Sequence, residues 1–211
     1  MMPVVDFRLL LVTDRHQTNG RPLVPLLQRV LAAAGPAIQI REHDLSAREL
    51  VALAREVQAE TAPRRCQLLI NDRIDVALGL GGVGVHLRSN SLPVTVARQL
   101  LGAERLLGIS AHSIEEAVQA ESQGADYIIL GPIYETPSKQ SFGPPLGIHT
   151  LEQACRLVRI PIVGIGGVTK ARVREMLDAG AFGVAVIRAI LGADDVESAT
   201  RELLDAVRPV P

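Results

Sequence analysis

Eight apolar runs recur along the 211 residues, each followed by a segment of helical periodicity, and this alternation limits the possible folds more than any other feature. The runs are Arg8–Thr13, Ala37–Arg41, Gln67–Asn71, Gly84–Leu87, Leu107–Ser110, Tyr127–Gly131, Ile162–Gly166 and Gly183–Ile187. The helical segments are Leu23–Ala34, Ala47–Glu60, Ile74–Leu80, Val94–Leu101, Ile114–Gln123, Leu151–Val158, Ala171–Ala179 and Val196–Val207. Runs of Ile, Leu and Val without polar alternation imply strands buried on both faces, as in parallel sheets covered by helices. Ser46-x-x-Glu49, Ser113-x-x-Glu116 and Thr150-x-x-Gln153 read as capping boxes at three helix starts. Eight βα units predict an α/β chain closed into a (βα)8 TIM barrel, with an open doubly wound sheet as the alternative. No composition shift, low-complexity tract or linker divides residues 1–211, so one domain is expected.

Composition excludes several function classes. The net charge is −1, with no Trp, two Tyr and three Phe, so neither a basic footprint nor a base-stacking platform for nucleic acid is present. Cys66 and Cys155 stand far apart, with no metal-ligand spacing or disulfide framework, and read as reduced, buried thiols. The opening stretch is interrupted by Asp6 and Arg8 and is too short to span a bilayer; it reads as the first strand. These features predict a cytoplasmic protein without membrane or nucleic-acid partners, and a homo-oligomer is compatible with them.

A barrel of this kind carries its chemistry at the C-terminal ends of its strands. On the second strand, Gln39, Arg41 and His43 alternate and share one face, and Arg41 offers a planar fork that matches phosphate or carboxylate oxygens. The third strand ends in Asn71-Asp72, where a carboxylate could hold Mg²⁺ beside a phosphate; Asn-Asp is equally a common turn and helix start. The sixth strand feeds a loop in which Thr136, Ser138 and Lys139 supply two hydroxyls and a cation, suited to an anionic group. Gly166-Gly167 after the seventh strand permits close approach of backbone amides to a ligand, or simply a tight turn. His86 and His112 end the fourth and fifth strands without a carboxylate–histidine metal pattern and read as hydrogen-bonded histidines.

In order, Gln39-x-Arg41-Glu42, Asn71-Asp72, Gly108-Ile109-Ser110-Ala111-His112, Gly131-Pro132-Ile133-Tyr134, Thr136-x-Ser138-Lys139 and Gly164-Ile165-Gly166-Gly167 resemble the thiamine phosphate synthase / TenI family of TIM barrels. The resemblance implies a transferase that joins hydroxymethylpyrimidine pyrophosphate to a thiazole phosphate, releasing pyrophosphate and giving thiamine monophosphate. It implies Gln39 and Ser110 near the pyrimidine and its reacting methylene, and Arg41, Asn71 and Lys139 on the pyrophosphate. Asp72 would hold Mg²⁺, while Thr136, Ser138, Gly167 and the backbone at Ile187-Arg188 would receive the thiazole phosphate.

Three positions depart from the family pattern: His43 replaces a lysine, Ser91 stands where a second Mg²⁺-ligating aspartate is expected, and Arg188 replaces a serine. A hydroxyl is a much poorer ligand for a hard dication than a carboxylate. The same barrel resembles thiazole tautomerases, which need no metal–pyrophosphate clamp, and the lost aspartate fits them. Pro132 stands where the tautomerase has a catalytic histidine, however, and Gln39, Asn71 and Asp72 are retained, which favours the synthase. A catalytically silent phosphate-binding barrel is the third reading.

Overall fold

Short strands alternate with helices because each apolar run is only long enough to cross one barrel wall. A computed structural model describes residues 3–136 and 144–208. Its strands are β1 (Leu9–Val12), β2 (Ala37–Ile40), β3 (Leu68–Asn71), β4 (Gly84–Leu87), β5 (Leu107–Ala111), β6 (Tyr127–Leu130), β7 (Ile162–Ile165) and β8 (Gly183–Val186). Each pairs in parallel with its sequence neighbour, and β8 pairs back with β1, through Leu10↔Ala185, to close the barrel. The expected closed barrel is therefore present, and the open sheet is not.

The helices are α1 (Leu23–Ala34), α2 (Ala47–Thr61), α3 (Ile74–Leu78), α4 (Val94–Leu101), α5 (Ile114–Ser122), α6 (Gly147–Leu157), α7 (Lys170–Asp178), α8 (Arg188–Leu191) and α9 (Val196–Ala206). The short α8 was not anticipated; four residues carry too little periodicity to be read. Ser46 forms the expected capping box with Glu49 at the start of α2. At α5, Ser113 accepts from the Glu116 N–H at 3.1 Å, but the Glu116 carboxylate accepts one residue earlier, from the His112 N–H at 2.7 Å. The third expected cap is not one. The backbone N–H groups of Leu146 and Gly147 donate to the Pro132 and Ile133 carbonyls, so α6 starts a turn early and Thr150 donates to the Leu146 carbonyl from inside it.

Because strand side chains alternate, the barrel wall separates two cores. Outward residues such as Leu9, Leu11, Ile38, Ile40, Ile70 and Val85 pack with the helices. Inward residues, among them Leu10, Val12, Ala37, Leu69, Tyr127, Ile129, Val163 and Ala185, pack with one another and with Phe7 at the floor. Tyr127 is the largest fully buried side chain, and Phe7 meets its ring edge-on at 5.5 Å between centroids. Its ring fits because the neighbouring strand presents Gly108, where a Cβ would lie 2.1 Å from the ring. Among the described residues no helix is long and apolar enough to cross a membrane.

Candidate active site

The inward rows of β2 to β5 become polar towards the C-terminal mouth. Gln39 and Asn71 are buried side by side on adjacent strands, and the Gln39 amide donates to Asn71 Oδ1 at 2.9 Å. Gln39 Oε1 is buried without a hydrogen-bond partner among the described residues, leaving an acceptor that a ligand N–H could complete. One strand further, His86 lies between Tyr127 Oη, 3.0 Å from Nδ1, and Ser110 Oγ, 2.9 Å from Nε2. Burial pushes the His86 pKa down to about 3 and the Tyr127 pKa well above its usual value, so both are neutral at pH 7.

Hydrogen-bond accounting then assigns the protons. Tyr127 has no other acceptor among the described residues, so its hydroxyl donates to Nδ1, and the imidazole carries its proton on Nε2 and donates it to Ser110. The Ser110 proton is left to point at a ligand. Tyr127→Phe should break this order: it orphans buried Nδ1, at a cost of about 1–3 kcal/mol, and frees the imidazole to take the Ser110 proton. The expected outcome is a lower denaturation midpoint together with a fall in turnover. Unchanged turnover in a stably folded variant would remove Ser110 orientation from the chemistry.

Past the strand ends stand the charged residues. Arg41 follows β2, anchored by its N–H to Thr13 Oγ1 at 2.9 Å, with its side chain half-buried. His43 is exposed two residues on; burial, then the charges of Arg41 and Arg88, outweigh Asp72 and Asp14 and lower its pKa, so it is neutral at pH 7. It is therefore not the permanent cation that a lysine there would be. Glu42 points the other way and is buried, where its carboxylate accepts from the Arg15 N–H at 3.1 Å and ties the loop after β1 to the loop after β2.

Asp72 takes a left-handed backbone (φ 64°), its N–H held by the His86 carbonyl at 2.8 Å. Burial works to raise its pKa, but hydrogen bonding by Ser91 and Arg88 and the Arg88 charge outweigh it and hold the carboxyl below its usual value. Arg88, on β4's inward register two residues after His86, donates from Nε to Asp72 Oδ2 at 2.8 Å and from Nη2 to the same oxygen. A cleft of ≈160 Å³ opens here, bounded by His43, Asn71, Asp72 and Arg88 among others. A larger one, ≈340 Å³, lies at the opposite end of the barrel, beside Arg8, Cys155 and Phe182. There burial raises the Cys155 thiol to about 11, which leaves it unreactive.

The expected Mg²⁺ does not fit this donor set. Asp72 is committed to a guanidinium, Ser91 is neutral, and no three metal-ligating His, Cys, Asp or Glu gather anywhere among the described residues. Oδ1 of Asp72 completes no well-formed hydrogen bond among the described residues, but one carboxylate oxygen is far from the near-octahedral oxygen shell of Mg²⁺. A dication about 4 Å from the guanidinium would be repelled by roughly 8 kcal/mol at an effective dielectric near 20.

On the opposite rim, Gly166 and Gly167 have φ of 99° and 63°, which side chains rarely adopt. A Cβ on Gly167 would lie 2.7 Å from the Glu135 carbonyl oxygen, and one on Gly166 would lie 2.6 Å from Pro132 Cβ. The pair is thus required first by the loop after β6, whose Ile133 and Tyr134 N–H groups donate to the Ile165 and Gly166 carbonyls. Ile187 packs against the inner core and Arg188 is exposed at the first turn of α8. Thr136 ends the described part of the loop; Ser138 and Lys139 lie outside the described residues. Arg41, Asp72, Ser110 and Gly167 all stand at the C-terminal end of the barrel. His86 and His112 are hydrogen-bonded, as expected, His112 through Nδ1 to the Gly131 carbonyl oxygen at 2.6 Å; the Tyr127 partner and Arg88 were missed, and the signal for Arg88 was its even spacing from inward His86.

The family model described as Thiamine monophosphate synthase matches residues 9–190. A thiamine-phosphate synthase of Moorella thermoacetica is 43% identical over 98% of this chain and 97% of that protein. One from Clostridium novyi is 39% identical over 94% of this chain and 98% of that protein. The solved structure of thiamine phosphate pyrophosphorylase from Pyrococcus furiosus superposes with a TM-score of 0.86, at 34% identity and 95% coverage of both chains. With the barrel closed, the mouth polar and nine-tenths of its length matched by these relatives, the chain belongs to the thiamine monophosphate synthase family.

Proposed function

We propose that the protein is a thiamine phosphate synthase: it transfers the pyrimidine methylene of hydroxymethylpyrimidine pyrophosphate to the ring nitrogen of a thiazole phosphate. The observation that carries this reading is the gathering of Gln39, Arg41, Asn71, Asp72 and Ser110 at one mouth, on the strand ends where a diphosphate and a flat ring would meet. The C–O bond to the diphosphate breaks with its electron pair leaving on oxygen, and the thiazole nitrogen closes a C–N bond. No proton is transferred, so catalysis rests on stabilising charge that appears on the leaving group and on excluding water.

In this reading Gln39 Oε1 accepts from the pyrimidine, and the Ser110 hydroxyl donates near the reacting methylene. Arg41, Asn71 and Lys139 hold the diphosphate, with His43 as an uncharged donor. Thr136, Ser138, the Gly167 amide and the Ile187-Arg188 turn receive the thiazole phosphate, and Arg188 adds a cation there. Phosphorylated substrates of this kind are consistent with the expected cytoplasmic location. The test is direct: purified protein with both precursors, with pyrophosphate and thiamine monophosphate measured together. Equimolar formation of the two is expected. Isomerisation of a thiazole carboxylate phosphate without the pyrimidine would replace this reading with a tautomerase, and binding with no product would replace it with a silent barrel.

A further inference from the structure

We propose that Arg88 takes the place of Mg²⁺ in this protein: its guanidinium, held by Asp72, is the cation that meets the leaving diphosphate, and turnover needs no metal at Asp72 and Ser91. The proposal rests on the synthase reading above. It starts from the disagreement between the donor set and the metal. Asp72 Oδ2 accepts from both Nε, at 2.8 Å, and Nη2 of Arg88, and no other hydrogen bond holds the Arg88 side chain among the described residues. A guanidinium has five N–H donors in a rigid plane, so gripping it at one edge leaves the rest of the fork available and fixes where it points.

Exposure agrees with that division of labour. The Arg88 side chain is 50% exposed and that of Asp72 16%, so the carboxylate lies at the back and the cation at the front. Arg88 and Ser91 belong to one turn, the Ser91 N–H donating to the Arg88 carbonyl at 3.1 Å. Compared with a site of two carboxylates, serine removes a negative charge and arginine adds a positive one, a change equal in sign and size to binding a dication. Arg88 lines the cleft at the mouth together with His43 and Asn71, and Arg41 stands just past the end of β2, two residues before His43.

The chemistry asks no more than this. The diphosphate departs with the electron pair of the broken C–O bond, and the thiazole nitrogen's lone pair makes the new bond. A permanently charged donor that can reach two phosphoryl oxygens at once meets that need. Arg88 is then a catalytic residue and Asp72 a positioning residue. Mg²⁺ remains only a solution companion of the diphosphate.

The experiment measures binding of pyrophosphate by calorimetry, and synthase turnover, each in excess EDTA and in excess Mg²⁺, for wild type and Arg88→Gln. Wild type should bind pyrophosphate in EDTA within about threefold of its affinity in Mg²⁺ and should turn over in both, as expected when an arginine fork supplies the charge. Arg88→Gln should lose roughly 10- to 100-fold in pyrophosphate affinity in EDTA, the usual effect of losing charged hydrogen bonds. Wild-type binding and turnover that both vanish in EDTA and return with Mg²⁺ would overturn the proposal and leave the synthase reading standing, and this arm requires no variant to fold. An Arg88→Gln protein that matches wild type in EDTA would overturn it too. Pyrophosphate bound through Arg88 in EDTA, with no thiamine monophosphate under either condition, would overturn the synthase reading and keep Arg88 as a metal-free diphosphate site.

Discussion

Gly108→Ala should destabilise the protein by about 3–5 kcal/mol, a large effect for one added methyl group. The new Cβ would fall 2.1 Å from Cζ and 2.5 Å from Oη of Tyr127, so the ring must leave its place inside the barrel. Overpacking alone costs typically 1–3 kcal/mol, and the His86–Tyr127 hydrogen bond would be lost with it, at about 1–3 kcal/mol more. For a chain of this size that is roughly 6–20 °C in Tm. Adding Tyr127→Leu to the variant should recover part of the loss, because the clash and the ring disappear together, and the pair should be clearly non-additive in a double-mutant cycle. Thermal or urea denaturation of the four proteins measures this, and a Gly108→Ala Tm equal to wild type would show that the ring is not confined as described.

Asp72→Asn should separate charge from shape at the mouth. At φ 64° asparagine is well tolerated, whereas alanine in Asp72→Ala adds a left-handed backbone penalty of about 1 kcal/mol. The amide cannot hold the Arg88 guanidinium as the carboxylate does, so kcat/KM should fall about 100-fold or more, with pyrophosphate affinity in EDTA falling alongside it. A merely structural Asp72 would lower Tm without moving that affinity. The depressed carboxyl pKa contributes stability that is present above the ordinary value of 3.8 and lost as pH falls through the folded value. The stability gap between wild type and Asp72→Asn should therefore narrow in acid.

The barrel was legible because burial on both faces writes each strand as a mainly apolar run, with the polar residues of β2 to β5 confined to the inward row. Arg8, Arg41 and Gly131 fell just outside β1, β2 and β6, since a run's composition continues after its pairing stops. Thr150 misled because a capping motif is local, while the start of α6 is set by bonds to Pro132 and Ile133 from across a loop. At the mouth, side-chain alternation placed Gln39 correctly on an inward row, but partners were illegible. Nothing in Tyr127 or His86 alone announces the other, 41 residues away. Arg88 was overlooked for a different reason: the carboxylate expected at Ser91 drew attention away from it, and only the contact with Asp72 shows where its side chain goes.

The loop after β6 has a consequence for engineering this enzyme. Its outgoing strand is pinned to β7 by Ile133 and Tyr134, and the Tyr134 hydroxyl is tied to Glu175 at 2.6 Å beneath the Arg172 guanidinium. The returning chain is pinned to the same place through Leu146 and Gly147. Together these bonds form a collar at the base of the loop, joining its two described sides. The collar's own bonds are made by residues on either side of 137–143, so they do not depend on the length of the chain between, and each doubling of a loop costs only about 0.6 kcal/mol in closure entropy. A loop grafted onto this collar has to keep Ser138 and Lys139, the two residues proposed to meet the phosphates, while the length around them is free to change.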